Sequence, residues 1–132
     1  NLDTISTVMC MYPTAVLLTC EKISKALNFY WEKMPEILFS ALEYSHPIQR
    51  AVSRDGTMLT PEEYFSRTQD LQPFFHDAGQ FYWGDAQSFQ ADKRVLSSKS
   101  LPIVIPRKYV VDIDTAEDWE LAQLMFDVLK LT

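Results

Sequence analysis

Residues 110 to 120 read VVDIDTAEDWE, and this stretch restricts the fold more than any other. Its apolar run alternates with period two, the pattern of a strand, and Thr115 with Asp118 makes the Thr-x-x-Asp pattern of a capping box, which starts a helix. A strand that gives way at once to a capped helix predicts an α/β fold. In such a strand Val111 and Ile113 point one way, while Asp112 and Asp114 share the other face, about 6.5 to 7 Å apart. The end of a strand is also where open α/β sheets bind ligands.

Strand and helix signals alternate along the rest of the chain. ISTVMCM, residues 5 to 11, is apolar enough to predict a buried strand, and YPTAVLLT is its turn-rich exit. Ile23, Ala26, Leu27 and Tyr30 fall at i, i+3, i+4 and i+7, the apolar stripe of a helix over 21–34 that Pro35 ends. ILFSALEYS and PIQRAVSR predict strands, with a hairpin turn at Asp55-Gly56. Thr60, Pro61 and Glu63 predict the start of a short helix ending near Arg67. DAGQFYWGD predicts a strand bracketed by Gly79 and Gly84, then a short helix capped by Asp85. LPIVIP predicts an extended segment bounded by prolines. Together these predict one unit over 1–132, with a mostly parallel sheet and an antiparallel excursion around 36–59. No repeat or linker divides it.

Charge narrows the partners. The net charge is -6, and the basic residues are scattered rather than clustered, so the footprint of a nucleic-acid binder is missing. No apolar run approaches the roughly 20 residues that cross a bilayer, and no signal-peptide pattern opens the chain, so a cytoplasmic protein with no membrane partner is expected. Cys10 and Cys20 have no neighbours at metal-ligand spacing and are expected to be reduced, packed thiols.

Two carboxylates as close as Asp112 and Asp114 repel unless a proton or cation lies between them, and a hard oxygen set with room for water suits Mg²⁺ better than zinc. The same pair also reads as solvated turn residues, the second favouring the helix dipole. Gln80 and Tyr82 share one face of their strand and can hydrogen-bond a polar ligand such as a sugar, or simply line the wet side of an edge strand. Arg67 can fork onto a carboxylate or form a surface salt bridge. His46 and His76 have no Ser or Cys nucleophile placed near them, which argues against a hydrolase triad. Neither GxGxxG nor GxxxxGK[ST] occurs, so nothing in these residues cradles a triphosphate by itself.

Three stretches in order, MYPTA, RTQDLQPFFHDAGQFYWG and SLPIVIPRKYVVDIDTAEDW, resemble the CMP-sialic acid synthetase family of cytidylyltransferases. The resemblance runs from TVMCMYPTA to the last helix, and DAGQFYW is most similar to the family's pseudaminic acid branch. It implies a Rossmann-like nucleotide-diphospho-sugar transferase fold that joins CTP to an acidic nine-carbon sugar and releases pyrophosphate with Mg²⁺. Asp112 and Asp114 match the family's catalytic metal-binding aspartates, and Tyr12, Thr14, Arg67, Gln80 and Tyr82 fall at substrate-binding positions. The segment from about 40 to 75 corresponds to a dimerisation excursion, which implies a homodimer whose excursions reach toward each other's sites. Tyr12 stands where many sialic acid members have Gln; this favours the pseudaminic branch, with sialic acid as the alternative sugar. The family's Gly-rich phosphate loop has no counterpart in these residues, so the chain is expected to be the C-terminal part of the domain and inactive when isolated. A noncatalytic sugar-binding or dimerisation module is the alternative from another class.

Overall fold

Ile37–Glu43 (β2) lies in the middle of the sheet and is buried on both faces: Ile37, Leu38, Ser40, Ala41 and Leu42 are all inaccessible to solvent or nearly so. An interior strand with neighbours on either side carries this nearly continuous apolar run. The computed structural model describes residues 7–90 and 95–130. Its other elements are β1 (Val8–Met11), α1 (Cys20–Lys33), β3 (Phe75–Gly84), α2 (Ala86–Gln90), β4 (Ser100–Val104) and α3 (Ala116–Leu129). Residues 5 and 6 of the expected first strand lie outside the described residues.

The strands form one sheet in the order β1-β3-β2-β4. β3 pairs antiparallel with both β1 and β2, while β2 and β4 are parallel. β1, β2 and β4 therefore run in one direction with β3 inserted against them, and the sheet is mixed rather than mostly parallel. The strand expected over YVVDID does not form. Pro106 starts a 3-10 turn over Arg107–Tyr109, and the N–H groups of Tyr109 and Val110 bond back to Pro106 and Arg107 instead of joining a ladder. Asp112 and Asp114 thus sit on an exposed loop rather than on one face of a strand.

α1 forms as the apolar stripe predicts. Thr19 caps it by accepting the N–H of Lys22, and Met34 closes it in the left-handed region (φ 46°), its N–H bonded to the Tyr30 carbonyl at 2.7 Å. Ala26 and Tyr30 turn inward to pack with Leu38, Phe81 and Ile105, and Met9, Leu18, Phe29, Trp83, Ile103, Tyr109 and Val110 surround this core. Asp85 caps α2 through the N–H of Ser88 at 2.6 Å. Both halves of the capping box at Thr115 and Asp118 are made at α3.

Residues 44 to 74 depart from the sequence reading. PIQRAVSR is not a strand: Ile48–Arg50 is a 3-10 turn, and the hairpin shrinks to a single bridge between Val52 and Met58. Gln49 decides this, because its buried side-chain amide donates to the Gln72 carbonyl at 2.8 Å and its backbone carbonyl accepts the Thr60 hydroxyl at 2.7 Å. That hydroxyl is then not used as a cap, and the helix expected up to Arg67 is only a 3-10 turn over Pro61–Glu63. Cys10 and Cys20 are free thiols but exposed rather than packed: Cys10 lies in the edge strand β1, and Cys20 is the first residue of α1. No helix among the described residues is long and apolar enough to cross a membrane.

Candidate functional site

The site is built around an irregularity in β3. Between Phe39 opposite Tyr82 and Ala41 opposite Asp77, β2 advances two residues while β3 advances five. The three extra residues make a bulge, and the buried Ser40 hydroxyl holds it by accepting the backbone N–H groups of Gln80 and Phe81, each at 3.1 Å. Gly79 takes φ +60°, a conformation that favours glycine, and donates its N–H to Asp77 Oδ1 at 2.8 Å. The Gln80 carbonyl accepts the N–H of Tyr12 at 3.0 Å, tying the exit of β1 to the bulge.

This geometry opens a cleft of about 560 Å³. Tyr12 enters it from the end of β1, Leu42 from β2, His76 to Gly79 and Tyr82 from β3, and Arg107, Val110 and Asp112 from the segment after β4. The Tyr82 hydroxyl donates to Asp77 Oδ2 at 2.7 Å, and its ring meets Tyr12 edge-on with centroids 5.8 Å apart. Burial, then the hydrogen bond and charge of Asp77, then the Tyr12 hydroxyl raise the Tyr82 phenol far above the ordinary tyrosine range. Arg107 donates to the Glu43 carbonyl at 3.0 Å and is the fixed positive charge among the described residues lining the cleft. His76 stacks at a tilt on Tyr44, with centroids 4.9 Å apart.

Of the residues singled out from the sequence, Tyr12, Tyr82 and Asp112 come together in the cleft. Gln80 is buried behind its wall, where its amide donates to the Ala78 carbonyl at 3.1 Å and stiffens the bulge. Thr14 lies in the turn after Tyr12 and is not among the lining residues. Asp114 is exposed and offers its backbone N–H to Asp118, and Arg67 is exposed on the 44–74 excursion, outside the cleft. Sequence reasoning missed Asp77 and Arg107. The Asp-Ala-Gly triplet was the available signal for Asp77, since an Asx turn inside a strand marks a bulge. Nothing local marks Arg107.

A wider groove of about 730 Å³ runs along α3, bounded by Val16, Trp119, Ala122, Leu124 and Phe126. Its walls are mostly apolar, its polar members Glu120, Gln123 and Asp127 all come from the one helix, and the smaller cleft, which gathers polar groups from several elements, is the better place for chemistry.

Over 125 residues, 92% of the chain, the sequence is 35% identical to the pseudaminic acid cytidylyltransferases of two Campylobacter jejuni strains. This chain is thus similar to those cytidylyltransferases over most of its own length. It spans about half the length of these relatives, 54%. A Helicobacter pylori protein named pseudaminic acid cytidylyltransferase and UDP-2,4-diacetamido-2,4,6-trideoxy-beta-L-altropyranose hydrolase is 26% identical over 117 residues, 86% of this chain and 23% of that protein. No family model matches the chain.

Proposed function

We propose that the protein carrying this chain is a cytidylyltransferase that joins CTP to pseudaminic acid and releases pyrophosphate, and that the cleft receives the sugar. The observation that carries this reading is the convergence of Tyr12, Tyr82, Arg107 and Asp112, from three separate stretches of the chain, on one polar cleft. In the reaction the sugar's anomeric hydroxyl attacks the α-phosphate of CTP and pyrophosphate leaves. Tyr12 and Tyr82 orient the sugar, and Arg107 supplies the positive charge that its carboxylate requires.

The donor set suits a hard divalent cation. Asp112 and Asp114 are exposed carboxylates, and no group of three or more His, Cys, Asp or Glu gathers among the described residues. Asp112 and Asp114 would hold such a cation, leaving its other positions to water and substrate phosphate, as is usual for Mg²⁺. When bound, Mg²⁺ supplies neutralisation of the phosphate charge and stabilisation of the departing pyrophosphate.

The fold reading that goes with this is a Rossmann-like nucleotide-diphospho-sugar transferase domain, working in the cytoplasm where CTP is available, with residues 40–75 forming a homodimer contact. Exposed apolar side chains on that excursion, Val52, Leu59, Tyr64 and Phe65, support the contact; Phe65 is 93% exposed. Arg67 lies on the same excursion, exposed and away from its own cleft, as befits a residue that serves the partner's site.

The test is pyrophosphate release from CTP with pseudaminic acid, run beside sialic acid. Asp112→Asn should lower turnover by about 100-fold or more while leaving the thermal midpoint unchanged. Undiminished turnover in that variant removes the metal assignment, and no release from the unaltered protein with either sugar removes the activity.

A further inference from the structure

Within the cleft, the hydrogen-bonding polarity of Tyr82 is set by its neighbour in the lining, Asp77. A phenol has one proton to donate and lone pairs with which to accept. Tyr82 commits that proton to Asp77 Oδ2 at 2.7 Å. Asp77 is itself held in place, because its other oxygen accepts the Gly79 N–H at 2.8 Å in the bulge. A carboxylate cannot return a proton, so what remains to Tyr82 is its lone pairs, presented to the cleft beside the Tyr12 hydroxyl. Tyr82 is also nearly buried, at 6% exposure, which leaves water a poor substitute for a mismatched ligand group.

We propose that Asp77 is a positioning residue that makes Tyr82 a hydrogen-bond acceptor toward the cleft, so that the site selects a sugar group that donates, an amide N–H or a hydroxyl, over one that only accepts. The inference rests on the sugar-site reading and deepens it. It also makes Asp77→Asn more than a loss of charge. The Gly79 N–H still needs an acceptor, so the amide oxygen stays on Gly79 and the amide NH₂ turns to Tyr82. Tyr82 then accepts from Asn and points its own proton into the cleft. The polarity at that point reverses with no change in side-chain shape.

The experiment joins a spectroscopic measurement that needs no ligand to a binding measurement. With tyrosine labelled at 13Cζ, Asp77→Asn should shift the Tyr82 resonance, as expected when the phenol changes from donor to acceptor at that contact. An unchanged resonance overturns the inference. Calorimetry with pseudaminic acid should then show binding weakened about tenfold or more by Asp77→Asn and by Tyr82→Phe, the size expected when a buried partner is left unmatched. The double variant should bind no more weakly than Asp77→Asn alone, because both changes act on one contact. Tyr82→Phe, which demands no rearrangement at Gly79, keeps the test decisive if Asp77→Asn folds poorly. Sugar binding that survives both changes undiminished overturns the inference and leaves the activity standing. No sugar binding by the unaltered protein removes the sugar-site reading, and the inference with it.

Discussion

The Ser40 hydroxyl oxygen lies 3.1 Å from the backbone nitrogen of Phe81, and the N–H of Gln80 reaches the same oxygen at the same distance. Ser40 and Phe81 are both wholly buried. A side chain on β2 thus completes the ladder that the bulge in β3 interrupts.

Ser40→Ala removes that acceptor and strands two buried N–H groups, so it should cost about 1–3 kcal/mol or more in unfolding free energy. Denaturant unfolding measures the loss, and hydrogen exchange should show Gln80 and Phe81 among the amides most deprotected. A change within error would mean that the bulge holds without this hydroxyl.

Gly84 shows the opposite constraint, a place where a side chain does not fit. A Cβ there would lie 2.7 Å from Ile37 Cδ1, 3.0 Å from Phe89 Cε2 and 3.1 Å from the Glu36 carbonyl oxygen. Gly84→Ala should therefore destabilise by about 1–3 kcal/mol through overpacking. Ile37→Val deletes the nearest of the clashing atoms, so the double variant should lose less than the sum of the single changes. Strict additivity would place the strain at the Phe89 ring or the Glu36 carbonyl instead.

The features legible in the sequence are those whose partners lie within a turn or two of chain. The stripe of Ile23, Ala26, Leu27 and Tyr30, the Asp85 cap and the Thr115–Asp118 box each need neighbours only three to seven residues away. The bulge depends on Ser40, 40 residues before Gln80, and the failed strand at 47–54 depends on Gln72, 23 residues after Gln49. Local pattern carries no record of such contacts. The YVVDID run misled for a related reason: Tyr109 and Val110 pack on the core from a 3-10 turn and the loop after it, while β4 takes the edge of β2. Tyr12, Tyr82 and Asp112 were singled out from the sequence and the fold brings them to one cleft, whereas Asp77 and Arg107 enter that lining only through the fold.

Acid should act on the start of α3. The Thr115 side-chain hydrogen bond, then the backbone N–H groups of Thr115 and Asp114, hold the Asp118 carboxyl below its ordinary value. A carboxyl lowered by folding stabilises fully above the unfolded value, about 3.9, and loses its contribution as pH falls through the lower folded value. Carboxyl NMR titration should find Asp118 below the ordinary aspartate range, and Thr115→Ala should move it up. The α3 amides should fray first below that range in the unaltered protein. An unshifted Asp118 would mean that the capping box is not populated in solution.

Arg67 tests the dimer more sharply than a mass measurement does. It lies outside its own cleft on the excursion that carries the exposed Phe65, so in a homodimer it is available to the partner's site. Arg67→Ala and Asp112→Asn should each be nearly inactive alone. In a mixed dimer, the site that keeps Asp112 would face the partner's intact Arg67, while the other site would collect both defects. Co-refolding equal amounts should restore roughly a quarter of the unaltered activity, because half the dimers are mixed and one site in each is whole. If Arg67 served its own cleft, every site in the mixture would carry one defect and mixing would restore nothing.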